Sequence, residues 1–258
     1  MPQRVAAIIL NYNHPEDTDN CIKNIKKADT KNQVKIFIVD NSPPNLNRGF
    51  AKGVNRGLRQ ALSQGFEYFL IINPDVTVDK NFFKLLDNFK NKKVGLAAPA
   101  IRHIQNGKTM YGTDGYVDWR YAKATHYNQS SSLNTKIKNA QFVTFACVLL
   151  TKELILDIGF IDERYFMYCE DVDYCLTAKK AGFKIILDTS IVVDHNTSSS
   201  FDRPTQKLPI SFKSQLKFIA KWLPIHKQVV PYFYHFFLYT YLYFLWSYHY
   251  LKKRGKKP

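Results

Sequence analysis

The sequence predicts an α/β protein: a mixed, mostly parallel central sheet with flanking helices, followed by a C-terminal helical appendage rich in aromatic and basic residues. Short apolar runs alternate with stretches of helical period, which is the pattern of βαβ units. Polar or acidic residues stand at the carboxyl ends of those runs, where open α/β sheets bind ligands. After Ser200 the composition shifts towards aromatic and basic residues. We therefore divide the chain into a domain of residues 1–203, with halves 1–98 and 99–203, and an appendage of residues 204–258.

Val5 to Leu10 (VAAIIL) is a continuous apolar run, as expected of a strand buried on both faces, and Asn11 ends it. Pro15 to Lys27 opens with Pro15, Glu16 and Asp17 and carries Cys21, Ile22 and Ile25 at helical spacing. Val34 to Val39 is a second strand, ending at Asp40; that carboxylate either accepts hydrogen bonds from a ligand or caps the next turn. Asn47 to Leu58 spaces Gly49, Gly53 and Gly57 four apart, with Arg48, Lys52 and Arg56 between them. Such a stretch is either a smooth helix face packed on the sheet or a helix N-terminus offering N–H groups and cations to a phosphate. It lacks the P-loop pattern. Tyr68 to Ile72 is a third strand and runs into Asn73, Pro74 and Asp75. A lone carboxylate there suits Mg²⁺ or Mn²⁺, which often take one or two carboxylates plus phosphates, or it caps a turn.

Lys80 to Phe89 reads as an amphipathic helix and Val94 to Ala98 as another buried strand. No period holds from Pro99 to Ala140, so we expect partly ordered loops and short strands over the open edge of the sheet. Phe142 to Leu150 is the last long apolar run before Phe166 to Gly182, where Glu170, Asp171 and Asp173 stand at a helix start. Acids in a first turn complement its exposed N–H groups and the positive end of the macrodipole, so alone they are as ordinary as they are chemical. Lys184 to Leu187 and Ile191 to Val193 read as short strands, the second leading into Asp194 and His195, with Ser198 to Ser200 beyond.

Of 258 residues, 45% are hydrophobic and 15% aromatic, enough for one sizeable core and unlike a disordered chain. Thirty-seven Lys and Arg against 21 Asp and Glu leave a formal charge of +16, which fits an anionic partner. The basic residues form no recognised nucleic-acid module. Cys21, Cys147, Cys169 and Cys175 include no C-x-x-C pair, and the N-terminus carries no signal-peptide pattern. Reduced thiols, a cytosolic setting and no zinc are expected, since His103, His126 and His195 lie far apart in sequence.

Six segments occur in order between about residues 4 and 200: IILNYN, IVDN, NRGFAKGVNRGL, INPDV, FMYCEDVDYCLTAKKAGFKI and VVDHNTSSS. In these the chain resembles family 2 glycosyltransferases of the bacterial rhamnosyltransferase-like branch, which build surface polysaccharides. The resemblance implies a GT-A fold, with 1–98 as the nucleotide-binding half and 99–203 as the acceptor-binding half. It implies an inverting, metal-dependent transfer of a sugar from a nucleotide donor, with dTDP-rhamnose the family-weighted choice and UDP-linked or other donor sugars open. Carried over by position, Asp40 holds the base or ribose and Asn11 lines the same pocket, while Arg48, Gly49, Asn55 and Asn73 line the donor. Asp75 binds Mn²⁺ or Mg²⁺, and His195 completes that metal or diphosphate site. Asp171 is the general base, Glu170 supports it and Asp173 serves the helix. At a helix N-terminus the dipole would keep Asp171 ionised. Asn73 stands where many GT-A enzymes carry a first aspartate, which puts the tightness of metal binding in doubt. Trp119 and Tyr121 are available to stack on a sugar ring, though such aromatics more often pack.

Beyond Ser200 the resemblance stops. Leu208 to Leu223 follows an amphipathic, basic helical pattern, and Val229 to Leu251 lacks Asp, Glu, Lys and Arg while being more than half aromatic. Tyr and Trp prefer the headgroup region, Pro231, His235 and His249 interrupt the apolar run, and basic residues crowd both flanks. We expect this appendage to lie on the inner face of the cell membrane rather than span it, bringing the enzyme to a lipid-linked saccharide acceptor. The opposing expectation is a helix pair packed on the enzyme or forming a homodimer. A sugar nucleotidyltransferase, a nucleic-acid-binding protein and a non-catalytic membrane adaptor are the competing functions.

Overall fold

The first strand, β1 (Arg4–Asn11), is apolar from Val5 to Leu10, where both of its faces are covered. Its side chains alternate: Val5, Ala7 and Ile9 enter one core with helix α1 (Pro15–Ala28), while Ala6 and Ile8 enter the opposite core under α2 (Phe50–Ser63). β1 lies parallel between β2 (Gln33–Asp40) and β3 (Tyr68–Ile72). The chain is described by a computed structural model covering residues 2–28, 31–105, 107–129, 133, 136–196 and 204–254.

The later strands are β4 (Val76–Thr77), β5 (Val94–Gln105), β6 (Lys108–Asp118), β7 (Lys123–Gln129), β8 (Ile137–Asn139), β9 (Cys147–Thr151) and β10 (Lys184–His195). The main path of the sheet runs β2-β1-β3-β9-β5-β10-β4. β9 is antiparallel to both β3 and β5, and β10 is parallel to β5, so β2, β1, β3, β5 and β10 share one direction. Their carboxyl ends form one edge of the molecule. At that edge Asn11 pairs with Asp40 and Ile72 with Cys147, while β10 turns back against β4 so that His195 faces Val76.

Two expectations are corrected. The helix foreseen over Lys80 to Phe89 is a 3-10 helix, Phe82–Lys90. Residues three apart eclipse in such a helix, so Phe82 with Leu85, and Phe83 with Leu86 and Phe89, form two apolar rows facing the sheet. Residues 99–140 are not mainly loops: β5 continues to Gln105 and folds into a β5-β6-β7 meander. A register shift between Gly112 and Gly115 breaks the two-residue period there. Gly115 lies so close to Phe142 that a Cβ would collide with its ring.

The C-terminal segment folds as α5 (Lys207–Trp222) and α6 (Val229–Arg254). Packing ignores the compositional boundary at residue 203: Phe218 and Ile219 are fully buried in the same core as Ile8, with Trp222 and Tyr232 against them. Burial of two such side chains is worth about 3–6 kcal/mol as an upper estimate. Trp119 stacks with Phe218 at 6.2 Å between ring centroids and Tyr121 with Tyr234 at 4.4 Å, so both aromatics hold the meander to these helices rather than a sugar. Among the described residues no helix is long and apolar enough to cross a membrane. All four cysteines are free.

Candidate functional site

The carboxyl edge of the sheet opens into a cleft of about 920 Å³. Helix α3 (Lys152–Ile158) buries Leu154 and Ile155 in the same core as the next helix, α4 (Glu170–Lys180), which begins at the mouth of the cleft. Tyr168 and Cys169 precede it with φ of 72° and 67°, left-handed values that side-chain-bearing residues rarely adopt. Two strained residues in succession aim the first carboxylates of α4 into the cleft, and strain of this kind gathers at functional sites.

Glu170 and Asp171 both line the cleft. Glu170 is buried, and its Oε2 has no hydrogen-bond partner among the described residues. Burial, reinforced by the neighbouring Asp171 charge, pushes its carboxyl up to about 8. Burial also raises Asp171, opposed by His126 and by the backbone N–H groups of Val172 and Phe145. Here the expected effect of the helix N-terminus is overturned: desolvation outweighs the dipole, so both carboxyls bind protons more readily than free acids do. Asp173 points away. It is buried and accepts hydrogen bonds from Tyr165 Oη (3.3 Å), Lys221 Nζ and Trp222 Nε1 (both 2.7 Å), fastening α5 to α4.

Asp75 follows β3 and His195 ends β10; the β4–β10 pairing brings His195 Nε2 to 3.0 Å from Asp75 Oδ1. Asn73 lines the cleft beside them, its N–H donating to Ala146 O at 2.8 Å. Among the described lining residues there is no Lys or Arg, while Asp75, Glu170 and Asp171 are all acids. A diphosphate placed here would meet carboxylates without protein cations, so the chemistry of this wall fits a divalent cation. Asp75 and His195 could supply two ligands to it; among the described residues no cluster of three or more His, Cys, Asp or Glu groups could hold one.

The remaining predicted residues separate. Asp40 and Asn11 sit at adjoining strand ends but do not line the main cleft. Asn11 is buried and occupied: Nδ2 donates to Asp40 Oδ1 at 3.0 Å, and Oδ1 accepts from Thr18 Oγ1 at 3.1 Å. It therefore positions Asp40 rather than lining a pocket, and Ser42 and Asn11 together hold the Asp40 carboxyl below its usual range. Gly49 lines the cleft with φ of 84°, and a side chain there would strike the carbonyl of Phe166. Arg48 is exposed and outside the lining, as are Lys52 and Arg56, so none of the three cations of this segment faces the cleft of the free chain. Gly53 and Gly57 instead let α2 lie directly on Leu10 and Ile8. Asn55 is corrected as well: it is fully buried, donating to Ile161 O at 2.7 Å and to Glu163 Oε1 at 3.0 Å, and it braces the loop before α4.

Sequence reading missed Tyr12, His14 and Asn41 beside the strand ends, His126 on β7, and Ser211 and Tyr239 on the C-terminal helices, all of which line the cleft. Adjacency to a strand end could have marked the first three. No local signal marks the others, because the meander and the helices reach the cleft only through tertiary packing.

A family profile described as glycosyltransferase like family 2 matches residues 2–208. The chain is 21% identical over 205 residues to a low-salt glycan biosynthesis hexosyltransferase of Haloferax volcanii, covering 70% of this chain and 63% of that one. It is 25% identical over 204 residues to an N-acetylglucosaminyl-diphospho-decaprenol L-rhamnosyltransferase of Mycobacterium tuberculosis, covering 69% and 66%. Thus the matches span about two thirds of the length of those relatives. Among solved structures the fold is similar to GalNAc-T7 with UDP, GalNAc and Mn²⁺ (TM-score 0.57, 12% identity, 86% of this chain and 52% of that one). It is likewise similar to the mannosyltransferase PcManGT of Pyrobaculum calidifontis with GDP-Man and Mn²⁺ (TM-score 0.58, 12% identity, 91% and 69%). The architecture is the GT-A fold.

Proposed function

The chain belongs to glycosyltransferase like family 2, and from that premise we propose that it moves a sugar from a nucleotide donor to a lipid-linked saccharide, with inversion at the anomeric carbon. The observation that carries this reading is the convergence of Glu170, Asp171, Asp75 and His195 on one cleft at the carboxyl edge of the sheet. L-Rhamnose from dTDP-rhamnose is the donor we favour, on the name of the mycobacterial relative. That name also motivates an N-acetylglucosaminyl-diphospho-polyprenol acceptor.

Asp40, held by Asn11 and Ser42, would accept hydrogen bonds from the nucleoside at the β2 end. Asp75 and His195 would hold Mn²⁺ or Mg²⁺, which when bound neutralises the donor diphosphate. Asp171 would take the proton of the acceptor hydroxyl as its oxygen bonds to the anomeric carbon and the bond from that carbon to the nucleoside diphosphate breaks. Its raised affinity for a proton suits that task, since a general base works best with a pKa near the operating pH. Glu170, protonated near neutral pH, would stay uncharged beside Asp171 and leave that carboxylate the negative charge at the reacting centre.

Helix α6 supports peripheral attachment to the cytoplasmic face of the membrane. Phe233, Phe237, Tyr241, Phe244, Tyr248 and Leu251 are exposed at steps of three and four, forming one apolar stripe along its outer side. Neither α5 nor α6 contains an acidic residue. A panel of nucleotide sugars, scored by thermal stabilisation with and without Mn²⁺, tests the donor and the metal together. We expect one dTDP- or UDP-sugar to stabilise the protein only with metal present. Asp171→Asn should keep that stabilisation and lose transfer by about 100- to 10,000-fold; full activity in this variant would remove Asp171 from the mechanism.

A further inference from the structure

The matched family region ends at residue 208, so nearly all of α5 and the whole of α6 lie beyond it, yet both helices wall the cleft. Ile210, Ser211 and Gln215 come from α5 and Tyr239 from α6. Gln215 is committed to the protein, donating to Ala122 O at 2.7 Å, and Ser214 donates to Met167 O at 2.8 Å, tying α5 to the strained turn before Glu170. Ser211 and Tyr239 differ. Their hydroxyl oxygens lie 2.6 Å apart, and sharing one bond leaves the pair a further O–H and several lone pairs. The ring of Tyr239 is set by Phe212 at 5.2 Å, so its hydroxyl is placed rather than loose.

We propose that the Ser211–Tyr239 hydroxyl pair binds the sugar ring of the acceptor and positions its attacking hydroxyl towards Asp171. This rests on the transferase reading above and names the wall of that cleft that selects the acceptor. Tyr12, His14 and Asn41 line the cleft at the β1 and β2 ends, next to the Asp40 to which the nucleoside is assigned above, and Glu170 and Asp171 are also in the lining. Two neutral hydroxyls, with no Lys or Arg among the described lining residues, suit a sugar rather than a phosphate. The same helix that carries Tyr239 presents its apolar stripe outward, so a lipid-linked saccharide held at the membrane by its chain would bring its sugar to this wall.

Binding of N-acetylglucosaminyl-diphospho-farnesol to the full-length chain, with dTDP and Mn²⁺ present, tests the proposal against Tyr239→Phe and Ser211→Ala. Each change removes one hydroxyl and keeps the packing. We expect either variant to bind the saccharide roughly three- to tenfold more weakly, the loss of one neutral hydrogen bond. The affinities for dTDP and for farnesyl diphosphate, which lacks the sugar, should be unchanged. Equal weakening towards farnesyl diphosphate, or unaltered saccharide affinity in both variants, overturns the proposal. Absence of saccharide binding by the unaltered chain overturns it too, and absence of dTDP binding as well brings down the transferase reading with it.

Discussion

Glu170 combines burial, a carboxylate neighbour and an oxygen without a described partner, and that combination has a measurable consequence. Its proton is held up to about 8 in the folded chain against 4.5 for the free side chain. Between those values the folded state binds more protons than the unfolded one, so the stability this group contributes is full below about pH 4.5 and lost as pH rises towards 8. Glu170→Gln removes the dependence. We predict that the variant melts higher than the parent at pH 8, by roughly 5 °C, and that the gap closes at pH 4.5. A gap that stays constant with pH would show that Glu170 is not the buried acid described. Asp171 was legible as a candidate from its motif, but the order of effects on its proton was not. The helix end is visible in sequence, whereas the surrounding desolvation is a property of the packed cleft.

At the scale of elements, α4 serves two purposes from the first turn of one helix. Its first residues face the cleft while Asp173 faces Tyr165, Lys221 and Trp222. The separation of Asp171 from Asp173 was readable in sequence, since residues two apart on a helix do not share a face; that of Glu170, three before Asp173, was not. The partner of Asp173 was not, because Lys221 and Trp222 lie in a segment whose composition resembles a separate appendage. Removal of Asp173 would leave the Trp222 N–H without its acceptor and the Lys221 ammonium with Asp162 alone, at 3.2 Å. We predict that Asp173→Ala costs about 3 kcal/mol, measured as a lower denaturant midpoint. A loss below about 0.5 kcal/mol would mean that α5 does not depend on this junction.

For the whole molecule, α5 and α6 are part of the enzyme core on one side and an exposed aromatic surface on the other. A cut at the end of the family motifs would remove Phe218 and Ile219 from the core, so surface substitutions test membrane attachment more cleanly than truncation. Phe237 and Phe244 are 64% and 67% exposed, and changing both to Asp should leave folding intact. We predict that the parent chain floats with phosphatidylglycerol vesicles, less so at high salt, and that the Phe237→Asp, Phe244→Asp variant stays in the soluble fraction. Each basic residue near such a surface adds about 1 kcal/mol, so added salt weakens binding. Equal flotation of the two proteins would exclude this face as the contact.

The sequence by itself determined the parallel strands at the centre of the mixed sheet, because strands covered on both faces are apolar in their interior, and it placed Asp75, Glu170, Asp171 and His195 at strand and helix ends where that topology gathers them. Tertiary structure alone decided that Asn55 is buried against the loop before α4 while Arg48 is exposed, since burial depends on what packs against a residue. It also decided that Trp119, Tyr121, Ser211 and Tyr239 belong to contacts between the meander, α5, α6 and the cleft. Those residues are joined over long sequence separations by packing between elements, and local periodicity carries no record of it.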